Sequence, residues 1–85
     1  MKAATQAALE QKTREILAEL LARDENEMTP VAELAQDLGM DSIDRIEIAM
    51  RLEDELLENS IDEDEAEGWR TVADVLATVT KMAKE

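Results

Sequence analysis

Residues 41–57 read DSIDRIEIAMRLEDELL, and this stretch decides the fold class. Asp41 stands where an N-cap belongs and Asp44 at N3, a variant of the capping box in which each side chain satisfies an unpaired backbone amide. Behind that cap Ile43, Ile46, Ile48, Ala49, Met50, Leu52, Leu56 and Leu57 recur at helical spacing. The apolar arc is wide, so the spacing predicts a long helix that faces two neighbours.

Upstream, from Ala4 to Arg23, Leu9, Ile16, Leu17, Leu20 and Leu21 share one face, with Thr13 filling the gap and Glu10, Arg14, Glu15 and Glu19 opposite. This predicts an amphipathic helix. The connection to the next helix is long and holds the only proline. Within it Thr29 as N-cap, Pro30 at N1, and Val31, Leu34 and Leu38 at helical spacing predict a short helical turn pinned to the core and ended by Gly39 in the left-handed conformation. Downstream, Asn59 and Ser60 break the long helix. Asp62 as cap, Glu65 at N3 and Gly68 as terminator predict one further turn. Thr71 and Asp74 repeat the cap pattern before a last helix with Val72, Val75, Leu76, Val79 and Met82 in one stripe. Lys81 and Lys84 then complement the dipole of its C-terminal end. No strand pattern is present. The expectation is an all-α fold: a small antiparallel bundle of three main helices plus a short one, with a long first loop, in a single domain spanning 1–85.

Composition narrows the chemistry. The 85 residues include no Cys, His, Tyr or Phe, and Trp69 is the only aromatic side chain. Without His there is no triad base, and without Cys or His no thiolate or imidazole to hold zinc, heme or an iron–sulfur cluster. Apolar runs stop at three residues, so the sequence shows neither a membrane span nor the apolar core of a signal peptide, and a cytoplasmic location is expected. The net charge of −13 makes nucleic acid and anionic membranes poor partners and basic protein surfaces good ones. Residues 41–67 alone carry −10, whereas residues 68–85 carry +1. Such crowding predicts that carboxylate pKa values in the acidic stretch are raised on average in the folded state.

Within that stretch Ser42 falls in the first turn of the long helix, just after the glycine-terminated loop. It has no histidine to activate it, and Arg45 cannot act as a base near neutral pH, so a nucleophilic role in its own right is excluded. What remains is a serine that another enzyme modifies. A helix N-terminus tolerates an added phosphate because its first amides are free to donate to it.

Asp37-Leu38-Gly39, Asp41-Ser42-Ile43 and Ile46-Glu47-Ile48 together resemble the modification signature of the acyl carrier proteins. The likeness continues through Glu53-Asp54-Glu55-Leu56, residues 61–67 and Thr71-Val72, and covers about four fifths of the chain in character and order. The resemblance implies that Ser42 carries 4′-phosphopantetheine, derived from coenzyme A, that acyl cargo rides on it as a thioester, and that the protein is not itself an enzyme. It further implies docking through Asp41, Asp44, Glu47, Glu53 and Asp54, with Ile43 and Met50 as apolar contacts, and an acyl pocket drawing on Ile46, Leu52, Leu56 and Leu76. The implied partners are a phosphopantetheinyl transferase and acyl synthases, reductases or acyltransferases with basic patches, met by a monomer. Ile43, Arg45, Arg51, Leu56, Asp62 and Trp69 depart from the family's commonest residues. A general fatty-acid carrier and a dedicated, polyketide-like one both remain open. The alternative is an acidic helical adaptor that binds a partner through the long helix. Asp62 to Glu65 do not make a calcium loop, since Gly68 and Ala73 fall in the wrong register, so no metal is expected. Trp69 reads as packing.

Overall fold

A computed structural model describes residues 5–83. Four helices follow the apolar periodicity: α1 (Gln6–Leu21), α2 (Ser42–Leu56), α3 (Glu63–Glu67) and α4 (Val72–Ala83). α1 packs against both α2 and α4, and α2 also meets α3 and α4. This is the expected helical bundle of three main helices and a short one, and among the described residues the one β-type pairing is an isolated bridge between Glu33 and Thr71. The expected starting residue Ala4 and the dipole partner Lys84 lie outside the described residues.

One apolar core joins the elements. Leu17, Leu34, Ile48, Leu52, Val72 and Val75 are fully enclosed, and full burial of such a side chain stabilises by about 1.5–3 kcal/mol. Thr13 is buried with them, and its hydroxyl donates to the Leu9 carbonyl at 2.7 Å, so its polarity costs the core little. α1 ends with Ala22 in the left-handed region at φ 56°, and the Arg23 amide reaches back to the Ala18 carbonyl. Arg51 joins α2 to α1: its guanidinium meets Glu19 at 2.8 Å while also pairing with Glu55 within α2.

The long connection differs from expectation. A 3-10 turn at Glu25–Glu27, capped by Asp24, comes first and buries Met28 behind it. No helical turn forms at Pro30, and Thr29 caps none: its carbonyl closes a simple turn with the Ala32 amide. The reason is competition for backbone groups. The Pro30 and Ala32 carbonyls accept from the amides of Ala73 and Val72, the first two of α4, while the Leu34 amide donates to the Arg70 carbonyl. Backbone committed to α4 in this way does not wind at Pro30, and the single helical turn starts later, where the Asp37 and Gly39 amides donate to the carbonyls of Glu33 and Ala35. Ala32, Leu34 and Leu38 are buried, but Val31 is turned outward and 80% exposed. Gly39 does take the left-handed conformation, at φ 77°.

α3 also departs in detail. Asp62 precedes it but makes no side-chain cap bond. Glu65, expected at N3 of a capping box, is drawn toward α4 instead, where Thr78 donates to it at 2.6 Å and Lys81 at 3.1 Å. Gly68 ends the helix without needing a left-handed residue, since it lies in the right-handed region at φ −82°. Trp69 is packing, as its sequence position suggested: it is 2% exposed, and its indole N–H donates to the Thr78 hydroxyl at 2.9 Å.

Candidate functional site

α2 begins with the expected reciprocal cap. The Asp44 amide donates to Asp41 Oδ1 at 2.8 Å, and the Asp41 amide donates to Asp44 Oδ2 at 3.2 Å. Ser42 is the first helical residue and is exposed. Its own amide and that of Ile43 have no intrahelical acceptor, because the first turn of any helix leaves its leading N–H groups unpaired. The serine hydroxyl therefore sits on a partly positive helix end, flanked by two carboxylates already occupied by backbone.

Beside Ser42 a cleft of about 430 Å³ opens between α2 and α3. Ser42, Ile46, Ala49 and Glu53 line it from one face of α2, and Ile61, Glu63, Ala66 and Glu67 close the other side. Of the four residues expected in an acyl pocket, Ile46 is on this wall. Leu52, Leu56 and Leu76 are buried in the core and do not line the cleft. Ala49, Ile61 and Ala66 take places on the wall that the sequence reading missed. The i, i+4, i+7 relation of Ser42, Ile46 and Ala49 was a usable signal for the first of them. Nothing local signalled Ile61 or Ala66, which arrive through the packing of α3.

Along the outer face of α2 the structure brings together Ile43, Ile46 and Met50, which are 65%, 59% and 62% exposed. Glu47 and Asp54 are exposed among them. Asp41 and Asp44 belong to the same end of the helix but are engaged in its cap. Glu53 is partly withdrawn, since its carboxylate accepts the Ile61 amide at 2.6 Å. A second, open groove of about 580 Å³ runs past Leu20, Glu47, Met50 and Asp54, so this face has relief as well as charge. Neither arginine merely interrupts the acidic face. Arg51 is tied to Glu19 and Glu55, and Arg45 donates to the carbonyls of Ala66 and Trp69.

The electrostatics depart from uniform repulsion. Glu65 lies in the acidic stretch, yet its carboxyl is held below the usual range, first by the Thr78 hydroxyl and then by Lys81. Asp74 is likewise lowered, chiefly because it accepts the amides of Arg70 and Thr71. Hydrogen bonds to the ionised form outweigh crowding at these positions. No group of three or more carboxylates among the described residues is arranged to hold a metal ion. The parts present fit a phosphate-linked arm: an exposed hydroxyl, unpaired amides at its foot and a largely apolar cleft alongside.

A family model described as a phosphopantetheine attachment site matches residues 11–79. Proteins named acyl carrier protein from three Clostridium perfringens strains, SM101, ATCC 13124 and 13, are each 43% identical to the chain over 74 residues. The match spans 87% of this chain and 96% of each relative.

Proposed function

The chain belongs to the acyl carrier protein family, and from that premise we propose that Ser42 is the residue to which its 4′-phosphopantetheine is joined. The protein is an acyl carrier and not a catalyst, and the family works with a transferase and with synthesis enzymes. When bound, the prosthetic group supplies the thiol on which acyl cargo is held as a thioester.

The observation that carries the assignment is the exposed Ser42 hydroxyl at the first position of α2, with the cleft directly beside it. The chain's own contribution is positional. The Asp41–Asp44 cap fixes the helix start, the amides of Ser42 and Ile43 can donate to phosphate oxygens, and Ile46, Ala49, Ile61 and Ala66 offer an apolar wall that excludes water from an acyl chain. The proton leaving Ser42 is taken by a partner, since the flanking Asp41 and Asp44 carboxylates are engaged by backbone amides in the helix cap.

In the same proposal the outer face of α2 receives partners. Glu47 and Asp54 meet basic patches on the transferase and on acyl synthases, reductases or acyltransferases, while Ile43 and Met50 provide the apolar contact. Asp41, Asp44 and Glu53 contribute charge more than contact, because their carboxylates are already bonded to backbone. The carrier acts as a single domain and a monomer in the cytoplasm, serving fatty-acid or polyketide-like synthesis.

The test is intact mass. Treatment with a broad-specificity transferase, magnesium and coenzyme A is expected to add one phosphopantetheinyl group, and Ser42→Ala to abolish the gain. Addition at Ser60, or none with a transferase competent on another carrier, would overturn the assignment. Native-host fractionation and sedimentation check the compartment and the monomer.

A further inference from the structure

Among the described residues, Arg45 is the one basic side chain on the wall of the cleft, beside Glu53, Glu63 and Glu67. Its guanidinium is turned across the gap, where Nη1 donates to the carbonyl of Ala66 in α3 and to that of Trp69 at 3.2 Å. The Ala66 carbonyl also accepts the Trp69 amide, so one side chain of α2 grips the whole C-terminal turn of α3. α3 is otherwise lightly held. It has five residues and no side-chain N-cap bond, and its Glu63 and Glu67 share the cleft with Glu53 of α2. Glu53 holds Ile61, which precedes α3, and Glu65 ties α3 to α4. Among the described residues, Arg45 alone makes a side-chain hydrogen bond from α2 to the far end of α3.

We propose that Arg45 is a positioning residue that latches α3 onto α2 and thereby sets which acyl chain length the cleft encloses best; the cargo half of this inference rests on the carrier reading above. Both bonds leave one terminal nitrogen of a planar, pre-organised guanidinium, which loses less freedom per bond than an ammonium on a flexible stem. Without the latch, like charges on α2 and α3 push the wall outward. Even a radial gap of about 0.5–1 Å forfeits a quarter to a half of the dispersion attraction at that wall. A short chain then loses contact on one side, while a long chain gains room.

The experiment compares the wild type with Arg45→Met and Arg45→Lys. In the unmodified proteins, hydrogen exchange is read at the amides of Ala66, Gly68 and Trp69, each hydrogen-bonded within this segment. Arg45→Met is expected to speed these by about tenfold or more while amides in the middle of α1 and α4 are unchanged, with Arg45→Lys nearer to Met than to Arg. Butanoyl and tetradecanoyl thioesters of the phosphopantetheine arm joined to Ser42 are then exposed to hydroxylamine. Arg45→Met is expected to raise the ratio of long-chain to short-chain protection by about threefold. Unchanged exchange at 66–69, or an equal rise throughout the protein, would overturn the latch; an unchanged length ratio would overturn its role in selectivity. If Arg45→Met does not fold, Arg45→Lys carries both comparisons. Failure of Ser42 to accept the arm would count against the attachment site alone, since the exchange measurement needs no prosthetic group.

Discussion

α2 and α4 begin with the same local device and end up doing opposite things. Each opens on a reciprocal cap, Asp41 with Asp44 and Thr71 with Asp74. At α4 the next two amides, of Val72 and Ala73, are taken by the carbonyls of Ala32 and Pro30. At α2 the equivalent amides belong to Ser42 and Ile43, and among the described residues no backbone carbonyl reaches them. One helix start is sealed by the long connection and the other is left facing solvent. A capping sequence therefore says that a helix starts, and its surroundings decide whether that start is a structural joint or a place where chemistry can happen.

The largest expected effect tests the open end against the sealed one. Ser42→Ala should remove modification entirely, as intact mass reports, whereas Thr71→Ser, which puts a serine hydroxyl at the sealed start, should stay unmodified on a protein that still loads Ser42. A second serine carrying the arm would mean that the seal does not matter.

Next in size is the stability contrast between the two caps. The Asp74 carboxylate accepts two amides, Arg70 at 2.9 Å and Thr71 at 3.1 Å. Asp74→Ala should cost about 2 kcal/mol, lowering the melting temperature of so small a domain by roughly 8–16 °C. Asp44→Ala removes one longer bond at an exposed end and should cost about 0.5–1 kcal/mol. Thermal scans showing equal losses would erase the distinction.

The pH dependence separates the same regions. Both Asp74 and Glu65 have folded-state pKa values lowered by hydrogen bonds, so in acid the unfolded chain binds more protons than the folded one. Their stabilisation is fully present above the unfolded values near 4 and is lost as pH falls from there through the lowered folded values. The combined variant Glu65→Gln with Asp74→Asn should start less stable at pH 7 and show a flatter decline below about pH 5 in thermal scans. A decline as steep as the wild type's would mean that these two carboxylates do not set the acid sensitivity.

The smallest effect concerns recognition. Glu47→Lys should weaken transferase binding by about 2- to 5-fold at low salt, while Glu10→Lys on α1 should change it little. The difference should shrink as the Debye length falls to about 3 Å at 1 M salt. Equal losses from both substitutions would mean that net charge, and not the face of α2, is what partners read.

Much of the fold was legible because period and caps are local properties. The α2 cap, the left-handed Gly39, the α4 cap and the apolar stripes of α1 and α4 all follow from side chains within four residues of one another. The failures have one cause in common. Thr29-Pro30-Val31 looked like a helix start, but the carbonyls of Pro30 and Ala32 were claimed by α4, and Val31 was turned out to solvent. Glu65 looked like half of a capping box, but Thr78 and Lys81, from a separate helix, held it more favourably. Arg45 looked like an interruption of an acidic face, and it reaches carbonyls 21 and 24 residues away. In each case a distant backbone or side-chain group outcompeted the local partner.

The sequence by itself determined the helices, the excluded chemistries, the acidic bias and the serine at the start of α2, because composition and periodicity act over a few residues. Only the tertiary structure decided which helix start stays open, that Ile46 but not Leu52, Leu56 or Leu76 faces the cleft, and which carboxylates are spent on backbone instead of being free for partners. Those outcomes depend on which unpaired amides and carbonyls meet when the long connection crosses α4 and α3 closes on α2. That meeting is set by burial of the shared core, whose attraction is non-directional and leaves no mark at any single position of the chain.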